Sequence, residues 1–316
     1  MRKILLTMAA VCLCMASAFP QGKPKVPQQT QKKTETTKQT KNTNTTKSNT
    51  TKKNTQKPGT QREPEYTPPP RPTKTFSMYE NINGFDVYWA EEVTQQQHDV
   101  LAQLIQNMVY VPGGTFNMGS QEYLNTTPVH TKSVSPFHIG KYEVTQKEWE
   151  TVVGRKKHYS NNQQGGNYPV ETVSYNDCLN FISKLNRLTG LKFRVPTEAE
   201  WEFAAKGGTK SQGYRFSGSN TATNVGWTNS NSGMNTHPVG QLQPNELGLY
   251  DMTGNVNEWV CERNSANYSA ERVSQQYVVR GGNYYWGDSK CTNCFRYASY
   301  PEDAWADTGL RLAITR

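Results

Sequence analysis

The chain has five histidines, His98, His130, His138, His158 and His237, and no two of them stand at His-x-x-x-His spacing. That excludes a His-Glu-x-x-His zinc hydrolase and any zinc or iron centre built on paired helical histidines. There is no Gly-x-Ser-x-Gly nucleophile elbow. Gly114 and Gly119 have phosphate-loop spacing, but Ser120 stands where the phosphate-binding lysine is required, so this is not a nucleotide loop. No apolar run after residue 18 is long enough to cross a bilayer. Cys12 follows Val11 and Cys14 follows Leu13, neither of them the small residue that precedes a lipid-bearing cysteine. Four cysteines remain after residue 18: Cys178, Cys261, Cys291 and Cys294. Four allow three connectivities, and spacing does not choose among them.

What is present is unevenly distributed. Residues 4–18 form a short apolar run behind Arg2 and Lys3, ending in Ala16-Ser17-Ala18. This predicts a secretory signal peptide cleaved near Ala18 and an exported protein of the periplasm or cell surface, where disulfides are permitted. Residues 19–75 are Lys, Thr, Asn, Gln and Pro, with thirteen Lys or Arg against three Glu. Such a segment buries too little to offset its ordering entropy, which predicts a disordered linker. It reads either as a solvated spacer or as a basic arm that touches anionic envelope polymers. The formal charge of +9 therefore belongs to the N-terminal part, and residues 76–316 are mildly acidic. That argues against nucleic acid as the main partner.

Residues 76–107 read as a hairpin turning at Asn83-Gly84, followed by a helix from Glu91 to Met108. The helix carries Val93, Val100, Leu101, Leu104 and Ile105 on one stripe, which predicts packing onto the main domain at 108–316. That domain opens with a strand, a Gly-Gly turn and a second strand over 108–120. Three helices are predicted next: Thr145–Val153 and one starting at Thr197, both with capping boxes, and Ser174–Leu188, ended by Gly190. Beyond Thr209 come Gly, Asn, Ser and short strands, so the class is α+β with much backbone outside regular elements. Tyr250, Trp259, Tyr284, Tyr285, Trp286, Tyr297 and Trp305 crowd the last third, pointing to a loop-rich surface with a pocket.

Several blocks come in the order of one family: Val111-Pro-Gly-Gly-Thr-Phe-Asn-Met-Gly119, Tyr142-Glu-Val-Thr145, Pro169-Val-Glu-Thr-Val-Ser174 and Arg194-Val-Pro-Thr-Glu-Ala-Glu-Trp201. Gly248-Leu-Tyr-Asp-Met-Thr-Gly-Asn255, Glu258-Trp259, Arg280-Gly-Gly282 and Gly309-Leu-Arg311 complete the set. Over about residues 108–315 the chain resembles the formylglycine-generating enzyme, or sulfatase-modifying factor, domain. The resemblance implies a loop-rich α+β fold, a variant of the C-type lectin domain. It does not fix the activity, because the family holds copper-dependent oxidases of sulfatase cysteines as well as members without chemistry.

The oxidases carry two active-site cysteines, at the fourth and ninth places after Arg-Gly-Gly, and two thiolates suit soft Cu(I). Counted without a gap, those places hold Trp286 and Cys291, and an indole offers copper no thiolate. Inserting three residues brings Cys294 to the second place but Ser289 to the first, and Cys291 with Cys294 makes a shorter Cys-x-x-Cys. Asn257 replaces a pocket-lining tryptophan of the family, and Asn283 stands where the oxidases commonly have serine. The resemblance also implies a structural calcium held by Asp251, Gly254, Val256 and Glu258, and a weaker site at Asn224 and Val225 whose aspartate is replaced, by Asn231 on one alignment. Cys178, Cys261, Cys291 and Cys294 are disulfide candidates. The expectation is an exported non-enzymatic member that presents Asn257, Asn283, Trp286 and Trp305 to a protein or glycan partner of the cell envelope, by analogy with accessory proteins of secretion or gliding machines. The alternative is a copper oxidase using Cys291 and Cys294.

Overall fold

A computed structural model describes residues 77–154, 160–162, 165–272 and 274–315. The segments expected to form a signal peptide and a basic linker lie outside the described residues. The first elements are a hairpin of β1 (Tyr79–Ile82) and β2 (Phe85–Tyr88). Its turn has Asn83 at φ 53° and Gly84 at φ 77°, the left-handed pair that an Asn-Gly turn supplies. Helix α1 runs Gln95–Gln106, four residues later than the apolar stripe suggests. The reason is a capping box: Thr94 Oγ1 accepts from Gln97 N while the Gln97 side chain reaches back to Thr94 N.

Strands β3 (Met108–Val111) and β4 (Gly114–Met118) do not pair across their Gly-Gly turn. A side chain on Gly113 would stand 2.7 Å from Val134 O, because a second chain segment passes the turn there. That segment is β5 (His130–Val134), the partner of β4, continuing into β6 (Phe137–Gly140), the partner of β3. Helices α2 (Gln146–Val153), α3 (Tyr175–Thr189) and α4 (Glu198–Ala205) follow, each opened by a capping box. Gly190 ends α3 in the left-handed conformation. Between α3 and α4 lies the short β7 (Phe193–Arg194). The last third contributes β8 (Asn257–Arg263), β9 (Tyr277–Arg280), β10 (Arg296–Ser299), β11 (Thr308–Gly309) and β12 (Ala313–Ile314).

Two four-stranded sheets result, in the orders β3-β6-β12-β7 and β10-β9-β8-β11. Their side chains alternate between two apolar clusters. Trp259, Val279 and Ile314 enter one, with α1, α3 and the hairpin residues Phe85 and Val87. Val260, Val278 and Ala313 enter the other, with α4. The fold is α+β.

Helix α4 is buried on every side, yet it carries Glu198, Glu200 and Glu202. Each is paired, as buried charge must be. Arg194 grips Glu200 with two bonds of 2.7 Å. Arg280 reaches Glu202 at 2.6 Å and Glu198 at 3.3 Å, and Arg296 reaches Glu198 at 2.7 Å. Arg280 ends β9 and Arg296 begins β10, so this helix anchors the two strands that flank the aromatic loop.

Candidate functional site

The loop between β9 and β10 starts at Gly281 (φ 94°) and Gly282 (φ 73°). A side chain on Gly282 would lie 2.5 Å from Cys291 Sγ, so the double glycine lets the loop fold back onto its own return limb. Asn283 then organises the loop. Its Oδ1 accepts from Tyr285 N (3.0 Å) and Trp286 N (2.9 Å), and its Nδ2 donates to Asp307 (2.9 Å). Arg280 donates to the carbonyls of Asn293 and Cys294 and fixes the return limb from below.

Above this scaffold is a cleft of about 250 Å³, lined by Asn257, Val279, Tyr285, Trp286, Tyr297, Ser299, Trp305, Asp307 and Thr308. Trp286 stands edge-on to Tyr297 with ring centroids 5.2 Å apart. The Trp305 indole donates to Ser299 Oγ at 2.8 Å, which holds its ring in place. Burial raises the Asp307 carboxyl above the usual aspartate range, offset by hydrogen bonds from Thr308 and Asn257.

Three of the four expected surface residues, Asn257, Trp286 and Trp305, line this cleft, and Asn283 sits beneath it. Of the aromatics read as pocket residues, Trp259 is a core residue, with its indole donating to Val173 O, and Tyr250 packs near Lys141 and Tyr142 instead. Asp307 and Ser299 were not anticipated. The signal available for Asp307 was its place one residue before the closing Thr308-Gly309 segment.

The cysteines do not gather. Cys291 is fully buried, its sulfur packed 3.7–3.9 Å from the carbonyls of Asn283, Trp286 and Gly287, and burial pushes its thiol up to about 12. Cys294 turns instead to Gly119 O, 3.4 Å away, and burial raises its thiol too. Neither lines the cleft. Cys178 is buried on α3, and Cys261 sits on β8 with its thiol pushed up to about 12. All four are free thiols, so the disulfide candidates are unbridged.

The loop expected to hold calcium is tied up internally. Glu258 accepts from Arg311 Nε and Nη2 at 2.7–3.0 Å and from the Trp201 indole at 2.6 Å. Asp251 (φ 56°) accepts from Gly240 N through Oδ2, while its buried Oδ1 has no partner. Gly254 N donates to Gly281 O, and Val256 N donates to Glu143, a buried carboxylate that also receives the Asn255 amide. Calcium takes six to eight oxygens, and of the two carboxylates expected to contribute, Glu258 is engaged by Arg311 and the Trp201 indole while Asp251 keeps one open oxygen. Among the described residues no group of three or more His, Cys, Asp or Glu is placed to hold a metal ion. The second loop is closed by Asn231, whose Nδ2 donates to the carbonyls of Gly226 (3.1 Å) and Thr223 (3.5 Å). Asn224 O receives Gln243 N, and Val225 N donates to Ala222 O. A neutral amide thus bonds the two carbonyls that flank Asn224 and Val225.

Desolvation pushes the Asp251 carboxyl up to about 6. A carboxyl that holds its proton more tightly in the folded state than in the unfolded chain costs stability as pH rises from the ordinary aspartate value to about 6, and the full cost persists above. Asp251→Asn keeps the acceptor for Gly240 N and tolerates the positive φ. It is expected to gain on the order of 2 kcal/mol at pH 8 and nothing at pH 4. Urea unfolding at the two pH values measures this, and an equal effect at both would contradict it.

A family model for the sulfatase-modifying factor enzyme 1-like domain matches residues 93–316. The chaperone protein LppX of Paenibacillus barcinonensis is 32% identical over 228 residues, covering 56% of this chain and 78% of that protein. The formylglycine-generating enzyme of Streptomyces coelicolor is 26% identical over 283 residues, covering 65% and 88%. Among solved structures, Treponema denticola variable protein 1 aligns with a TM-score of 0.60 at 26% identity, over 75% of this chain and 98% of its own. Motif order, fold and these matches agree: the chain belongs to the sulfatase-modifying factor family, which includes the formylglycine-generating enzymes.

Proposed function

We propose that this protein is an exported binding module of its family, holding a protein or glycan partner of the cell envelope in the aromatic cleft, and not a copper oxidase. The observation that carries the reading is the separation of the two thiols. Cys291 is enclosed beneath the 283–287 loop and Cys294 faces Gly119, while Trp286 forms cleft wall at the place of the first oxidase cysteine. Thiolates that bind Cu(I) must be deprotonated and share a face, and both of these thiols are buried with raised pKa values. The likeness to a protein described as a chaperone supports a binding role. Arg311 braces the 251–258 loop through its ion pair with Glu258.

The test loads the full chain with Cu(I) and offers a peptide containing Cys-x-Pro-x-Arg. Mass spectrometry is expected to find no aldehyde. Aldehyde that forms and is abolished by Cys291→Ser would overturn the binding reading.

A further inference from the structure

The chemistry of the cleft narrows what it can hold. Its walls are the rings of Tyr285, Trp286, Tyr297 and Trp305, of which Tyr285, Tyr297 and Trp305 are about half exposed. Aromatic faces attract cations, and Lys290 already places its ammonium 5.5 Å from the Trp286 ring centroid. The polar atoms on the floor are spent as donors and open as acceptors. Thr308 Oγ1 and Asn283 Nδ2 both donate to Asp307, and so does the Asn257 amide. That bond fixes the Asn257 orientation, because only the NH₂ end can face a carboxylate. Asn257 Oδ1 is consequently a buried acceptor with no partner, in a residue only 2% exposed. Ser299 Oγ receives the Trp305 indole and donates to Asp303. A ligand that completes this site must therefore donate hydrogen bonds. A sugar hydroxyl brings acceptors as well as donors, whereas an ammonium is a donor only.

Charge and size agree. The segment Pro301-Glu302-Asp303-Ala304-Trp305-Ala306-Asp307 has three carboxylates and no base. A volume of about 250 Å³ is below the usual ~300–1,000 Å³ of a small-molecule site, which fits one side chain.

We infer that the cleft is a receptor for a primary alkylammonium group, with the aliphatic stem between Trp286, Tyr297 and Trp305 and the ammonium directed at Asp307 and Asn257. This rests on the binding reading of the same cleft and names its ligand class. The group comes either from a lysine side chain of a partner protein or from a free alkylamine.

The full chain is titrated with the peptide acetyl-Gly-Lys-Gly-amide, with its Nε-acetyl and Nε-trimethyl forms, with n-butylamine and with chitotriose, following tryptophan fluorescence and calorimetry. The free lysine peptide is expected to bind at least tenfold more tightly than the acetylated form and severalfold more tightly than the trimethylated form, which cannot donate. Tyr297→Leu, at a half-exposed ring, and Asp307→Asn are each expected to weaken it at least tenfold, with circular dichroism unchanged. Butylamine binding as tightly as the peptide identifies a free amine as the source, and much weaker binding identifies a peptide lysine. Equal affinity for the acetylated peptide, or binding of chitotriose alone, overturns the inference. No binding of any ammonium probe does so as well. None of those results produces aldehyde, so the failure of this assignment is distinguishable from failure of the non-oxidase reading.

Discussion

Arg311→Met is expected to cost about 3–5 kcal/mol, enough to unfold a domain of ordinary stability. Arg311 is fully buried and donates to both oxygens of Glu258, to Gly140 O and to Tyr250 O. It also faces two further buried carboxyls: Glu143, raised well above the usual range by burial, Asp251 and Glu258, and Asp251. A thioether fills the space but leaves three acidic groups with no cation among them. Only protonation can then relieve the repulsion, so the loss should be larger at pH 8 than at pH 5. Adding Glu258→Gln removes the charge with the best-defined partner and should restore at least about 1 kcal/mol, an interaction read from a double-mutant cycle in urea. A single variant as stable as the parent at pH 8 would mean that this cluster does not hold the 248–259 loop.

Gly254→Ala should be nearly as damaging, and for a steric reason. Gly254 and Gly226 lie on two segments that cross backbone to backbone, joined by the bridge between Trp227 and Gly254. A methyl on Gly254 would penetrate Trp227 O, and one on Gly226 would penetrate Thr253 O. Both obstacles are main chain and cannot rotate away. Gly254 also has φ 73°, which costs a side chain about 1–2 kcal/mol. The expected total is about 3 kcal/mol or more. Gly233→Ala supplies the control, since its φ is 62° with nothing within 4 Å. It should show the conformational cost alone, and equal melting of the two variants would refute the clash.

These two sites also show what a sequence displays and what it conceals. The glycines were legible as points of close approach, and the boxes at Thr145 and Thr197 marked helix starts because their chemistry is local. The start of α1 was equally visible in Thr94-Gln95-Gln96-Gln97, but an apolar stripe running back to Val93 outweighed it. β6 was missed because Phe137–Gly140 is buried throughout, so its pattern has no alternation. β7, β11 and β12 have two residues each, too few for any period. At the site, the aromatic excess of the last third correctly announced a cleft. The roles of the charges were hidden: Glu200 was legible only as the capping-box partner of Thr197, Glu198 and Glu202 carried no visible role, and Glu258 read as a ligand. Glu200 pairs with the nearby Arg194, but the partners of Glu198, Glu202 and Glu258, which are Arg280, Arg296 and Arg311, lie 53–98 positions away. Sequence order carries no signal of that reach. The cysteines make the same point, for three positions separate Cys291 from Cys294 while their sulfurs face different carbonyls.

The pairing of β12 between β6 and β7 has a bearing on biogenesis. Residues 137–140 are ready to bond soon after they emerge, yet the strand that completes their sheet comes more than 170 positions later. Until then a mostly apolar edge is open to whatever extended peptide is nearest. The sheet can close only after residues 313–314 have been made, so the free side of β6 stays open through most of the synthesis of the domain.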